Sequence, residues 1–266
     1  MGRAVPAVTR AFDILELFTE AEELSVPEIV QALGLPRTSV HELVGTLVER
    51  HYLAPSPHHP HRYRLGMAVH HLGALYAERL DLAREGQAVA TTAAGQCGET
   101  VHVAVLDGLE VVYVAKVDST HPVRMVSAVG RRLPAHCTAV GLMLLASLPT
   151  ERLDALLPGD QRLPAMTRRS ITSTRALRKR LAEIRACGLA FEYCESNEAV
   201  ACVAAGVRDR SGETVAAMSV SVPTLRWNDK RAEELGRLIT DAAATLSARL
   251  GYTGVSPEPR RPSTRP

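Results

Sequence analysis

The residues of this 266-residue chain best suited to chemistry fall into a few groups. The first is Arg37, Thr38, Ser39, His41 and Glu42, all lying off the apolar stripe Val40/Leu43/Val44/Leu47. A helix in the DNA major groove reads bases mainly through its first turns. Arg37 can pair with guanine or with a phosphate, Thr38 and Ser39 suit a phosphate or a thymine methyl, and Glu42 can accept from cytosine N4. Arg62 and Arg64 alternate around Tyr63, so in a strand both share one face, as wing contacts to phosphate require. Arg10 is a further candidate for the DNA backbone. His58, His59 and His61 suggest a metal, but no acid or cysteine is near in sequence and prolines surround them, so they read as an exposed loop tip. His136-Cys137 suggests a nucleophile pair, yet chain neighbours rarely oppose each other and no acid is placed to orient the imidazole. His102 falls within a strand and reads as a satisfied core residue.

The elements that must position these groups follow from periodicity. Val8, Ala11, Phe12, Leu15 and Phe18 recur at helical spacing and predict a first helix with that face buried. Ser25 caps a second helix, with Pro27 in its first turn and Glu28 three residues on, and Gly34 ends it. Pro36 opens a third helix. Two short helices joined by a glycine turn are the helix-turn-helix signature. The runs Tyr52–Pro55 and Arg62–Leu65 around a Pro- and His-rich turn add a wing. A connector helix is expected over 66–83 and another helix over 84–97. The period then changes to that of strands. Val101–Leu106 and Val111–Val117 form a hairpin about Asp107-Gly108, and Val123–Val126 is a further candidate strand. Strands are also expected over 189–193, 200–207 and 214–222, with helices over 138–148, 174–187 and 229–250. This order predicts an α+β fold with an antiparallel sheet in the second half.

Composition narrows the function classes. Apolar residues make up 46% of the chain, ample for packed cores. The five cysteines are odd in number and form no Cys-x-x-Cys pair, which argues against a disulfide framework or zinc ribbon and fits a reducing cytoplasm. No signal peptide or membrane span is expected, so the chain reads as cytoplasmic, with no membrane partner. Net charge is +2, and residues 1–75 hold six arginines against eight acids, so a DNA interface must rest on where charges sit.

Several stretches together resemble the IclR family of bacterial transcriptional regulators. They are Val8-Thr-Arg-Ala-Phe-Asp-Ile-Leu, Leu35-Pro-Arg-Thr-Ser-Val-His-Glu-Leu, Tyr63-Arg-Leu-Gly66, Leu133-Pro-Ala-His-Cys-Thr-Ala-Val-Gly141, and Gly188 to Glu195 running on to Ala201–Ala205. The resemblance implies a winged helix-turn-helix DNA-binding domain over 1–65, a linker helix over 66–83 and a GAF-like effector-binding domain over 84–252. A disordered tail is expected over 253–266. It also implies assembly as a dimer or tetramer, double-stranded operator DNA as partner and a small-molecule metabolite as effector. Glu42 departs from the basic residue common at its position, Glu192 from a shorter acid or serine, and Arg208 from an aromatic.

By the same resemblance the effector site falls on Ala139 and Val140, at the start of an apolar helix, and on Glu192 and Cys202. Leu106, Met125, Met143 and Val200 are expected to line it. A helix N-terminus offers free N–H groups to an anion. Glu192 would meet a cation or hydroxyl or take up a proton, which disfavours a small anionic effector relative to a neutral or amine-bearing one. Cys202 reads equally as a contact or as a small buried hydrophobe. The expected function is a ligand-controlled transcriptional regulator, a repressor before an activator, with no metal and no cofactor. The rival readings are a thiol-based redox sensor using Cys137, Cys194 or Cys202, which needs lowered thiol pKa values, and an enzyme using the second-half pocket.

Overall fold

The structure is a computed structural model that describes residues 5–79, 81–122 and 127–254, apart from the side chains of 76–79 and 81. The candidate strand Val123–Val126, the candidate contact Met125 and the tail from Val255 lie outside the described residues. The chain divides into two units at Leu80/Asp81.

In the first unit a proline preset for the helical φ opens α1 (Pro6–Glu16), and a 3-10 turn follows over Leu17–Thr19. The short strand β1 (Leu24–Ser25) leads into α2 (Val26–Leu33). Glu28 reaches back over that helix start, its Oε2 accepting the Ser25 N–H and hydroxyl, each at 2.7 Å. At Gly34 the chain takes φ +64°, a left-handed turn, before α3 (Arg37–Glu49). The wing strands β2 (Leu53–Pro55) and β3 (Arg62–Leu65) pair antiparallel, and β1 joins the far edge of β3. Ile14, Phe18, Ile29, Val40, Val44, Leu47 and Leu53 form the core. Gly66 then lets the chain leave the wing, since a Cβ there would lie 2.1 Å from the His51 carbonyl oxygen. The helix α4 (Met67–Arg79) follows.

The first helix corrects the expectation for its buried face. Ile14 is fully buried and Phe18 nearly so, whereas Val8 and Phe12 are 52% and 58% exposed. The chain tightens into the 3-10 turn after Glu16, so Phe18 leaves the stripe that 3.6-residue periodicity assigns it to.

The second unit begins with α5 (Asp81–Cys97) and the hairpin β4 (Thr100–Asp107) and β5 (Glu110–Val117). Next come β6 (Arg132–Pro134), a 3-10 turn over Ala135–Cys137, α6 (Ala139–Ser147), α7 (Thr150–Leu156) and α8 (Thr174–Cys187). The strands β7 (Ala190–Tyr193), β8 (Val200–Arg208) and β9 (Thr214–Pro223) precede a long last helix, α9 (Asp229–Arg249). The sheet runs β6-β5-β4-β9-β8-β7 with every neighbouring pair antiparallel. α5 and α9 cover one face, while α6 lies on the other with α8 packed against it. Eight of the nine α6 residues are buried, as an all-apolar helix requires.

Candidate nucleic-acid interface and effector site

α3 separates its faces cleanly. Val40, Val44 and Leu47 enter the core, whereas Arg37, Thr38, His41 and Glu42 are exposed and Ser39 is half-buried. Gly45 and Thr46, which the sequence reading passed over, continue the exposed face one turn on. The space where a Gly45 Cβ would stand is open, so a partner can approach the backbone there. Arg10 is exposed on α1.

The two wing arginines are not equivalent. Arg64 is exposed, but Arg62 is half-buried and donates to Glu28 Oε1 at 2.8 Å and to the Glu23 carbonyl at 3.1 Å. This guanidinium is engaged inside the unit, so the expectation that both stand free toward phosphate is corrected. The Ser25 donors and Arg62 hold the Glu28 carboxyl down to about 2. The wing tip is corrected too, because an acid does reach its histidines. The pairing of β1 with β3 brings Glu23 alongside, where His59 Nδ1 lies 2.8 Å from Oε2 and Ser56 donates to Oε1 at 2.6 Å.

In the second unit a buried polar row crosses four strands on the α6 face. Glu192 on β7 stands opposite Cys202 on β8, which stands opposite Ser221 on β9. The Cys202 thiol donates to Ser221 Oγ at 3.2 Å, and that hydroxyl lies 3.3 Å from His102 Nδ1 on β4. His102 Nε2 completes the row 2.7 Å from Ser127 Oγ, with the ring stacked on Tyr113 at 4.5 Å. Burial and the charge of Lys116 hold His102 down to about 3, so it is neutral. Ser219 and Ser221 were not singled out in the sequence. Their spacing of two within an apolar strand was the available signal, since it puts both buried hydroxyls on one face.

Glu192 is buried at 1% exposure. Its Oε1 accepts the N–H groups of Glu195 and Ser196 at 2.5 and 3.0 Å, and its Oε2 has no hydrogen-bond partner among the described residues. Burial pushes this carboxyl up, against the pull of those donors. Ala139, Val140, Met143, Val200 and Cys202 lie in one buried cluster on this face, and Leu106 packs against it. Thr138 Oγ1 caps α6 by accepting the Gly141 N–H at 3.1 Å. Two open pockets lie elsewhere. One of about 460 Å³ runs between α5 and α9, and another of about 540 Å³ is lined by Arg168, Arg169, Tyr193 and Cys194 among others.

All five cysteines are buried. Burial raises the thiols of Cys97, Cys137, Cys194 and Cys202, the reverse of what a peroxide-sensing thiolate requires.

Comparison with known proteins bears on both units. Residues 7–57 match the IclR helix-turn-helix domain, and residues 74–248 match the C-terminal domain of bacterial IclR transcriptional regulators. The HTH-type transcriptional regulator XynR of Escherichia coli K12 is 34% identical over 249 residues, covering 93% of this chain and 98% of the relative. The transcriptional repressor IclR of the same organism is 29% identical over 254 residues, covering 94% and 91%. In fold, the chain resembles an IclR homologue from Microbacterium hydrocarbonoxydans complexed with 4-hydroxybenzoate. The TM-score is 0.79 at 24% identity, over 92% of this chain and 98% of that one. The chain therefore belongs to the IclR family, whose members are DNA-binding transcriptional regulators rather than enzymes.

Proposed function

We propose that the chain is a cytoplasmic repressor whose grip on operator DNA is set by a small molecule held on the α6 face of the sheet. The exposed face of α3 from Arg37 to Thr46, with Arg64 and Arg10, reads and positions the DNA. The observation that carries the effector reading is Glu192 Oε2, buried on the row with Cys202 and Ser221 and without a hydrogen-bond partner among the described residues. A buried acceptor left open costs stability unless something else supplies its donor. The effector presents a hydroxyl or amine to that oxygen, and Ala139 and Val140 offer helix N-terminal N–H groups to its other end. Self-association as a dimer or tetramer is supported by Val8 and Phe12 on α1, by Val5 just before it and by Met67, Leu72 and Leu75 on α4, all exposed.

The test has two arms. Fluorescence anisotropy on DNA selected from a random-sequence pool should give tight, salt-weakened binding that Arg37→Ala reduces. Thermal melting with the matched neutral pairs glycolamide and acetamide, and lactamide and propionamide, should show the hydroxyl-bearing member stabilising the protein and Glu192→Gln removing the preference. Specific DNA binding with no hydroxyl preference would keep the DNA assignment and discard the one for Glu192.

A further inference from the structure

The positive charge of the chain is concentrated outside its DNA-reading unit. Residues 150–187, spanning α7, α8 and the loop between them, hold nine basic residues against four acidic ones. The surplus is five in a chain whose net charge is +2, so everything outside this segment is net −3. Arg152, Arg162, Arg168, Arg169, Arg175 and Lys179 are all exposed. None of the six makes a salt bridge among the described residues, although Arg169 lies 4.9 Å over the Tyr193 ring.

The fold gathers them. Arg162 forms an isolated bridge with Ser173, whose side chain caps α8, and this sets it beside the helix start that carries Arg175. Thr167 and Ser170 donate to the carbonyls of Cys194 and Glu195 at 2.6 and 2.7 Å, which fixes the turn bearing Arg168 and Arg169. Arg178 ties α8 to Asp154 of α7. Of the other acids, Asp160 accepts the Thr174 hydroxyl at 3.0 Å, Glu183 lies 3.8 Å from Arg180, and Glu151 sits in the first turn of α7. Arg175 stands in the first turn of α8, which holds no acid. Helix dipoles favour the opposite arrangement, so the local fold gains nothing from a cation there, whereas an external anion does.

We propose that this face of the sensing unit is a second DNA-contacting surface, which holds backbone phosphates flanking the operator core. Five of the six cations are arginines, whose planar fork fits phosphate. Once the winged unit is docked, flanking DNA is present at high effective concentration. A lipid surface would also call for apolar anchors, and Met166 is the only large apolar residue exposed in this segment among those described.

The test uses the full chain and a selected operator core, made as a duplex of about 20 bp and, with flanks, as one of about 70 bp. Each phosphate contact contributes about 0.9 to the slope of log K against log salt. The variant Arg162→Gln/Arg168→Gln/Arg175→Gln/Lys179→Gln should therefore lose about 3 to 4 from the slope per bound protomer on the long duplex. That is roughly a tenfold difference over a doubling of salt, and the short duplex should be bound as by wild type. The lighter pair Arg168→Gln/Arg175→Gln should show about half the slope change, and melting checks that both variants fold. A variant that matches wild type on the long duplex overturns the proposal, as does an equal loss on both lengths. Loss of binding to phosphatidylserine vesicles with long-duplex binding intact would overturn it in favour of a lipid partner.

Discussion

Replacing Glu195 by glutamine should flatten part of the pH dependence of stability. Its Oε2 is buried with no hydrogen-bond partner among the described residues. Burial, with the charge of Glu192 added, lifts this carboxyl from 4.5 to about 7, while Arg180 pulls it back. Between those values the folded chain keeps a proton that the unfolded chain has released. The contribution to stability is therefore full below pH 4.5, falls as the pH rises through 7 and is flat above. At about 1.4 kcal/mol per pH unit the whole effect is about 3 kcal/mol. His102 works in the other direction, because a histidine held down to about 3 contributes stability above 6.5 that is lost on acidification. Comparing wild type with Glu195→Gln cancels that limb, since both carry His102. Urea unfolding at intervals from about pH 5 to about pH 8 should show wild type losing about 2 to 3 kcal/mol more than the variant, with unchanged m-values. Parallel curves would refute the reasoning.

Arg226 grips the buried Glu99 carboxylate with Nε and one terminal nitrogen, at 2.7 and 2.6 Å. Arg226→Leu leaves that charge only the more distant His121 at 3.9 Å among the ion-pair partners of the described residues and should cost about 3 kcal/mol, much of it recovered in the double variant with Glu99→Gln; equal melting of single and double variants would rule this out. Ile14→Ala should cost about 2 to 4 kcal/mol in chemical unfolding. Phe12→Ser should leave the fold nearly as stable and weaken self-association in sedimentation, so a large loss of stability would contradict the exposure of that face. Gly141→Ala places a methyl 2.2 Å from the Ala135 carbonyl oxygen, and the forced shift of α6 should cost at least about 2 kcal/mol, read as a lowered melting temperature.

The legible parts of the fold were those written in local chemistry. Ser25 and Glu28, the left-handed Gly34, the Asp107-Gly108 turn and Gly188 at the end of α8 each mark an element end with a residue suited to it. β1 and β6 were not foreseen, because strands of two and three residues carry no readable alternation and exist through their partners. α7 was hidden as well, since Thr150–Leu156 is too short to show a period. At the sites, exposure on α3 followed from its apolar stripe. The engagement of Arg62 did not, because Glu28 lies 34 residues away and meets it only through the β1–β3 pairing. The row from Glu192 to Ser127 likewise draws on four strands and a loop far apart in the chain, and only the sheet order makes it continuous.

One arrangement in the first unit bears on how a signal can act. Glu28 at once stabilises the start of α2 and anchors Arg62 of β3, while Glu23 holds both Ser56 and His59 at the wing tip. Helix start, strand and wing tip thus share the same two acids, and none can tilt without breaking charge-assisted bonds in the others. The unit behaves as a stiff reading head whose own shape is a poor place to store two states. In the proposed assembly of copies, a stimulus arriving from elsewhere would act on the distance and angle between one head and the next. A half-site spacing altered by a few base pairs should then disrupt control more than a changed base under either wing.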